Sequence, residues 1–271
     1  MRNEMNQIRM ENLHFSYRPG EEILKGLDFT IDGRSTAIIG QNGAGKTTFV
    51  KLLKGLLRPT EGRIFLGDTD IASMTAAKLA AHIGMVFQNP NDQIFKNTLM
   101  DEVMFGPLQI GMSHQEALAS AKKAIELTGL TGMEKKNPYD LGLSVRKMIA
   151  IAGVLAMNTK AVIFDEPTIA QDHAGRERIK EIIRTLHREG RIVITIIHDM
   201  DFVAEVFERV IVFAEGKILL DGSAKEVFAD HEVLEKAYLE QPNVTRLGRE
   251  LGCDEVFLKV EELAQILEKR S

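Results

Sequence analysis

A glycine-rich loop between a short apolar run and a helix-like segment is the strongest chemical signal in the chain. The letters GQNGAGKTT, from Gly40 to Thr48, follow the run STAIIG and match the pattern G-x-x-x-x-G-K-[ST]. Glycines let backbone N–H groups curl around phosphate oxygens, and the helix that follows adds the positive end of its dipole. Lys46 would then reach the β- and γ-phosphates, and Thr47 would offer its hydroxyl to Mg²⁺. The residues assigned to the nucleotide are Gly40, Asn42, Gly43, Ala44, Gly45, Lys46, Thr47 and Thr48.

Two acidic residues end the apolar run AVIFDEP, which extends from Ala161 to Pro167. A buried strand that presents acids at its carboxyl edge is typical of ligand sites in α/β sheets. Asp165 is predicted to hold Mg²⁺ through water. Glu166 is predicted to polarise the attacking water, a general-base role that contributes about 10²–10⁴ in rate. Beside the phosphate loop, this pair predicts hydrolysis of the bound nucleotide.

A second apolar run, ITIIHDM, ends in the polar residue His198. The imidazole is predicted to hydrogen-bond the γ-phosphate and to sense whether ATP is present. A lone histidine is more often structural, but this one ends a strand on the edge that carries the two acids, which favours a function.

Short β-branched, apolar runs alternate with helix-like segments through the middle of the chain. Several runs are nearly continuous in apolar residues, as strands covered on both faces are. Alternation of strand and helix predicts a mostly parallel sheet with helices on both sides. The predicted helices are Lys46–Leu56, Ser113–Thr128, Ser144–Ala156 and Ala174–Glu189.

The predicted α/β domain covers residues 1–240 and has two additions to its core. The opening runs IRMENLHFSY and EILKGLDFTI alternate with period two, which predicts an antiparallel β-layer. A mostly helical stretch over about residues 90–158 predicts an inserted helical subdomain.

The last part of the chain, residues 241–271, is predicted to form a small helical appendage. Its final helix would bury one apolar face, formed by Val260, Leu263, Ala264 and Leu267. Two interpretations stay open: a helix that caps the main core, and a small contact domain for another subunit.

Bulk composition excludes several classes of protein. The 271 residues carry a net charge of −5 with no basic block, so we expect no nucleic-acid partner. The single cysteine excludes an internal disulfide framework and favours a reducing cytosol. No apolar run approaches the roughly 18 residues of a membrane span, and the first residues lack the apolar core of a signal peptide. We therefore expect any link to a membrane to come through a partner.

These motifs, in this order, resemble the ATP-binding subunit of ABC transporters over residues 8 to about 238. The resemblance implies the ABC ATPase form of the P-loop NTPase fold, with ATP as substrate, ADP as product and Mg²⁺ as cofactor. It implies that Tyr17 stacks on adenine, although a tyrosine in a β-layer is more often a packing residue. It also implies that Gln88 contacts Mg²⁺ and the attacking water, and that Asp172 belongs to a loop that crosses between two cassettes.

A narrower resemblance is to the energy-coupling factor branch, which powers uptake of vitamins and transition-metal ions. It is carried by FQNPNDQIFKNTLMDEVMFGP and by the appendage. The resemblance implies that Asn91–Phe95, here called the docking segment, forms a helix that contacts a transmembrane coupling protein. It also implies a separate substrate-binding membrane protein and a place on the cytoplasmic face of the cell membrane. An ordinary amphipathic turn is the alternative for this segment.

One family motif is altered. Relatives carry Leu-Ser-Gly-Gly-Gln, and this chain carries the signature segment Leu141, Gly142, Leu143, Ser144 and Val145. In the family, this segment sits at a helix N-terminus and closes over the nucleotide of a second cassette. Gly142 lacks the first hydroxyl, Leu143 adds bulk where backbone must approach phosphate, and Ser144 would compensate in part from a shifted position. We expect weaker γ-phosphate stabilisation, since one lost donor costs on the order of 2.7–4 kcal/mol in comparable sites.

A complete hydrolytic set beside an altered signature segment predicts an asymmetric heterodimer with a second, non-identical ABC ATPase. Gln171, in the crossing loop where leucine is common, is a second departure at the same predicted contact. Two alternatives stay open: a soluble ABC ATPase outside transport, and a nucleotide-regulated binding subunit with little hydrolysis. The intact Glu166 argues against the second alternative.

Overall fold

A computed structural model describes residues 7–270. The strands are β1 (Ile8–Ser16), β2 (Glu22–Ile31), β3 (Thr36–Ile39), β4 (Glu61–Leu66), β5 (Thr69–Asp70), β6 (Ile83–Val86), β7 (Ala161–Asp165), β8 (Ile192–Ile196), β9 (Arg209–Ala214) and β10 (Lys217–Gly222). The helices are α1 (Lys46–Leu53), α2 (Ala76–Ala80), α3 (Leu99–Gln109), α4 (His114–Leu127), α5 (Leu143–Ala156), α6 (His173–Arg188), α7 (Met200–Val206), α8 (Ala224–Ala229), α9 (His231–Lys236), α10 (Asn243–Glu250) and α11 (Val260–Arg270).

The larger sheet has six strands in the order β10-β9-β3-β8-β7-β6, and only the β9–β10 pairing is antiparallel. Strand β3 lies between β8 and β9, so that Thr36 pairs with both Ile194 and Arg209. Every residue of β3, β6, β7, β8 and β9 is buried, as the continuous apolar runs predicted. The predicted parallel sheet is confirmed.

The second sheet is the antiparallel layer expected from the period-two runs. Its order is β2-β1-β4-β5. Phe49 of α1 packs between Phe29 of the layer and Phe213 of the main sheet, with ring centroids 5.5 Å apart in both pairs. Aromatic packing of this kind contributes about 0.5–1.5 kcal/mol per pair beyond its buried area. The layer is thus fixed to the helix that follows the phosphate loop.

Helices α3, α4 and α5 pack on one another between β6 and β7. Of the described residues, α5 buries nine of its fourteen. The predicted helix over the docking segment is wrong, because only a single 3-10 turn, Pro90–Asp92, forms there. The reason is a competing acceptor. The N–H groups of Phe95 and Lys96 donate to the buried carboxylate of Glu102 at 2.9 and 2.8 Å, instead of to helical carbonyls.

The appendage has two described helices, α10 and α11, around a small apolar cluster of its own. The cluster contains Val244, Cys253, Phe257 and Leu263, with Ile266 and Leu267 packed against it. The predicted buried face of α11 is therefore wrong in part: Val260 is 70% exposed, and Ala264 is exposed as well. Because α11 packs on one side only, its buried stripe is the narrow i, i+3, i+4 set that starts at Leu263. Among the described residues, no helix has both the length and the apolarity to cross a membrane.

The rotated face of α11 gives a direct test. We expect Leu263→Ala to destabilise the appendage by about 2–5 kcal/mol, because it opens a cavity in a cluster of few side chains. Val260→Ala is the matched control and should change stability by less than about 0.5 kcal/mol. Amide hydrogen exchange of residues 243–270 measures both effects. Equal loss of protection in the two variants would contradict the observed orientation of α11.

Candidate active site

The phosphate loop connects β3 to α1 and passes close to β9. Gly40 has φ 150°, and a Cβ atom there would lie 2.2 Å from the carbonyl oxygen of Phe213. That distance is shorter than any real contact, so only glycine fits. Gly45, the residue before α1, has φ 101°, and a Cβ atom there would lie 2.7 Å from Leu24 Cδ2. The backbone of the loop is therefore fixed by the strands around it.

Lys46 occupies the centre of the loop. Its side chain is buried, and the ammonium donates to the carbonyl oxygens of Gly40 and Gln41 at 2.6 and 2.9 Å. Burial lowers the pKa of Lys46, and the nearby charges of Glu166 and Asp165 oppose that effect. The first turn of α1 contains no acidic side chain, so no carboxylate there offsets the charge of Lys46 or the positive end of the helix dipole.

The structure brings the predicted residues into one cavity of about 330 Å³. They come from the phosphate loop, the loop after β6 and the ends of β7 and β8. Its lining residues include Asn42, Gly43, Gly45, Lys46, Thr47, Thr48, Gln88, Asp165, Glu166 and His198. Gly40 and Ala44 support the loop from beneath: Gly40 packs against Phe213, and Ala44 is buried in the core.

Glu166 is the most perturbed acid of the cavity. Burial, and next the charge of Asp165, raise the pKa of Glu166 to about 7. Its Oε1 atom is buried and has no hydrogen-bond partner among the described residues. His198 Nε2 lies 3.3 Å away, but burial and Lys46 lower the pKa of His198, so the ring is neutral near pH 7 and forms no ion pair there. A carboxylate with one such oxygen and a pKa near neutrality suits a general base.

The backbone of Glu166 is held in an uncommon conformation. Its φ is 47°, and its N–H donates to the carbonyl oxygen of Ile196 on β8 at 3.0 Å. A non-glycine residue with positive φ carries a cost and persists where the surroundings enforce it. Here β8 enforces it, which sets the direction in which the chain leaves β7.

Tyr17 lies just beyond β1, beside the phosphate loop. Its ring is 55% exposed and packs edge-on against Phe15, with centroids 4.8 Å apart. The hydroxyl lies 3.4 Å from Thr48 Oγ1. An exposed aromatic ring held by its edge is suited to stack on a base, and this role of Tyr17 stays a prediction.

The signature segment lies at the start of α5. Gly142 is the N-cap residue and supplies no side-chain hydrogen bond, and Leu143 is 41% exposed in the first turn. Ser144 donates its hydroxyl to Gln171 Oε1 at 3.0 Å, and Gln171 Nε2 donates to the Ser144 carbonyl at 3.2 Å. The compensation expected of Ser144 is therefore not available in this structure, because its proton is directed within the chain. The remaining members, Leu141 and Val145, pack partly buried against the core.

Two functional features lie beyond the sequence predictions. The crossing-loop Asp172 is also the N-cap of α6, with its carboxylate accepting from Gly175 N–H at 2.8 Å. Lys147 is almost completely buried among the carbonyls behind the cavity. The sequence signal that could have found it is a basic residue at a position where helical spacing predicts the buried face.

Comparison with known proteins agrees with this geometry. Residues 24–169 match the ABC transporter family. The chain belongs to the ABC transporter ATP-binding family. It is 37% identical over 243 residues to the energy-coupling factor transporter ATP-binding protein EcfA of Methanocaldococcus jannaschii, which covers 89% of this chain and 87% of the relative. It is 41% identical to EcfA2 of Clostridium perfringens, with 90% and 89% covered.

Solved structures place this ABC ATPase in the same group. The cbiO1 protein of Clostridium perfringens, described as part of the ABC transporter complex cbiONQ, superposes with a TM-score of 0.76 at 34% identity over 90% of this chain and 98% of that one. A dimeric ATP-binding cassette with bound ADP and phosphate gives a TM-score of 0.73 at 25% identity, over 80% and 98%. The chain is an ATPase of the energy-coupling factor branch, and members of this family hydrolyse ATP to drive transport.

The residues of this ABC ATPase fit Mg²⁺. Thr47, Gln88 and Asp165 supply oxygen donors to one side of the cavity, and oxygen is the ligand that Mg²⁺ prefers. The described residues contain no cluster of three or more metal-binding acids, histidines or cysteines. A site of few protein ligands matches an ion that keeps several waters and binds with substrate phosphates.

The buried Glu166 predicts a pH-dependent stability difference. Its folded pKa is above the unfolded value, so wild-type stability is lost as the pH rises from about 4.5 to about 7. We expect Glu166→Gln to be more stable than wild type by about 1–3 kcal/mol at pH 8, with the difference shrinking toward pH 4.5. Urea denaturation in EDTA measures it, with the exposed Glu126→Gln as control. A destabilised Gln variant at pH 8 would contradict the electrostatics described here.

The Ser144–Gln171 pair predicts an energetic coupling. In a double-mutant cycle of Ser144→Ala and Gln171→Ala, we expect an interaction energy of about 0.5–1.5 kcal/mol, because the two side chains share hydrogen bonds. Thermal denaturation measures the cycle. Ser144→Ala combined with Thr69→Ala, on β5 of the other sheet, should be additive. Additive effects for Ser144 and Gln171 would show that they do not interact in solution.

Proposed function

We propose that this ABC ATPase energises membrane uptake of a micronutrient, a vitamin or a transition-metal ion, as half of an asymmetric heterodimer of ATPases. One observation carries the proposal: a complete hydrolytic cavity coexists with a signature segment that presents Leu143 and no free hydroxyl at the start of α5. The names of the energy-coupling factor relatives support the transport class.

The asymmetry follows from how two cassettes share their sites. In the family, the signature segment of one cassette covers the phosphate loop of the other. Two copies of this chain would place Leu143 and the Ser144–Gln171 pair over both nucleotides. A partner with an intact signature would instead complete the cavity of this chain, while the partner's nucleotide would lie under the altered segment and turn over slowly.

Within that cavity each residue has a separate task. Lys46 and the loop N–H groups bind the phosphates of ATP, and Tyr17 stacks on the base. When bound, Mg²⁺ would be held by Thr47, Gln88 and Asp165 and would neutralise phosphate charge. Glu166 accepts a proton from the attacking water through Oε1, an atom without a hydrogen-bond partner in the part of the chain that the structure describes. His198, neutral and exposed at the edge of the cavity, hydrogen-bonds the γ-phosphate.

The docking segment is suited to a membrane-bound partner. Phe95 is 52% exposed, and its ring packs edge-on against Phe105 at 4.7 Å. The ammonium of Lys96 lies over both rings, at 5.0 and 4.6 Å from their centroids. This rigid aromatic surface is proposed to contact the transmembrane coupling protein at the cytoplasmic face of the membrane. A separate membrane protein would bind the substrate, and no nucleic acid is involved.

Glu166 gives the test of hydrolysis. In the complex purified through this chain, we expect Glu166→Gln to lower ATP turnover by about 10²-fold or more, with ATP affinity kept, because the general base is lost and the phosphate loop is not. The exposed Glu126→Gln is the matched control. Unchanged turnover in Glu166→Gln would show that this chain is a regulatory binding subunit or that another group is the base.

The partners are tested by gentle detergent extraction of this chain from native membranes, followed by mass spectrometry. We expect a second, different cassette with an intact Leu-Ser-Gly-Gly-Gln and a multi-span membrane protein. Recovery of two copies of this chain alone with a membrane protein would remove the heterodimer. Recovery with ribosomes or DNA would remove the transport function.

A further inference from the structure

A fully buried ammonium group lies behind the catalytic cavity. Lys147, in the second turn of α5, is 1% exposed. Its Nζ atom donates to the backbone carbonyls of Phe87 at 2.9 Å, Gln88 at 2.9 Å and Asp165 at 3.1 Å. A lysine has three N–H donors, so each one has a partner. The side chain is a tripod with no donor left for a ligand.

The three carbonyls belong to two separate catalytic segments. Phe87 and Gln88 follow β6 and enter the loop that supplies the Gln88 side chain to the cavity. Asp165 ends β7 and immediately precedes Glu166. One charged group therefore bridges the glutamine loop and the two acids through backbone atoms of both, just beyond the pairing of Val86 with Phe164 in the sheet.

The same helix is joined to the docking segment by two further contacts. Arg146 Nη1 donates to Asn91 Oδ1 at 2.7 Å. Gln93 accepts from Phe87 N–H at 3.0 Å and donates to the Ala150 carbonyl at 3.4 Å. These hydrogen bonds connect the docking segment to α5 and to Phe87, whose carbonyl Lys147 holds.

We propose that Lys147 is a positioning residue that holds Gln88 and the acids Asp165 and Glu166 in register and links them to the docking segment. Its effect on the acids rests on contacts within the chain. The link to a membrane partner rests on the proposed function. Hydrogen bonds from a charged donor are stronger than neutral ones in a dry environment, which makes this tripod stiff.

The cost of the arrangement supports a role beyond packing. A buried ammonium is expensive unless fully paired, and apolar side chains of similar size fill cores at lower cost. Lys54 offers a comparison within the chain, because its partly buried ammonium donates to one carbonyl, that of Ile83 at the start of β6. Of these two lysines, Lys147 has the three-way geometry directed at the site.

The test compares Lys147→Met, Lys147→Arg and the control Lys54→Met in the complex recovered with this chain, or in the chain itself if it is recovered alone. We expect Lys147→Met to lower kcat about tenfold to a hundredfold, since small misplacement of reacting groups has effects of that size. KM for ATP and the affinity for Mg²⁺-free ATP should change less than twofold, because the phosphate loop is untouched. Lys147→Arg, which keeps a charged donor, should recover most of the lost kcat, and Lys54→Met should keep wild-type kcat even if its melting temperature falls.

Three outcomes would overturn the proposal. They are wild-type kcat in a folded Lys147→Met, equal kcat loss in the Met and Arg variants, and a parallel kcat loss in Lys54→Met. If Lys147→Met does not fold, Lys147→Gln takes its place in the same comparison. A kcat at least tenfold below that of Lys147→Arg then supports the proposal, and equal kcat values in the two variants overturn it. Absence of a membrane protein from the complex would remove the proposed function, while the kcat comparison would still decide the positioning role.

Discussion

The structure depends on one electrostatic constraint: a buried cation and two buried acids share a cavity that a polyanion must enter. Lys46, Asp165 and Glu166 are each 6% exposed. Burial lowers the pKa of the lysine and raises the pKa of both acids, because it disfavours the charged form of all three side chains. Bound phosphate would offset part of the free-energy cost of burying Lys46. The same desolvation raises the pKa of Glu166, as its proposed role as a general base requires.

The order of the strands is what makes this constraint possible. Strands β3, β8 and β7 are parallel neighbours, so their carboxyl ends meet at one edge of the sheet. The phosphate loop, His198 and the acid pair follow these three ends. The parallel pairing of these strands therefore brings the functional side chains together, and the dipole of α1 adds to a site whose geometry the sheet determines.

These strands and their chemistry could be predicted from the sequence because each motif is local. A continuous apolar run followed by a polar residue predicts a buried strand and also the polar side chain at its carboxyl end. Contacts between distant segments could not be predicted in this way. The Phe87 carbonyl that accepts from Lys147 is 60 residues away along the chain, and no local pattern indicates it. The Glu102 carboxylate is close to Phe95 in sequence, but apolar periodicity does not indicate which N–H group a carboxylate accepts from. The orientation of α11 could not be predicted for the same reason, since the side chains that form a cluster with Leu263, namely Val244, Cys253 and Phe257, lie outside α11.

The altered signature segment makes hydrogen bonds of its own with the loop before α6. One of its departures, Ser144, and the departure at Gln171 in the loop before α6 hydrogen-bond each other across 27 residues of chain. A leucine at position 171 would remove both partners of Ser144, and a glycine at position 144 would leave the amide of Gln171 without its hydroxyl donor. Each departure therefore makes the other less costly, and restoring one alone removes a hydrogen bond that the other now makes. The pair joins the start of α5 to the loop before α6 and directs the Ser144 hydroxyl within the chain. In the proposed heterodimer, the partner would therefore supply the complete signature.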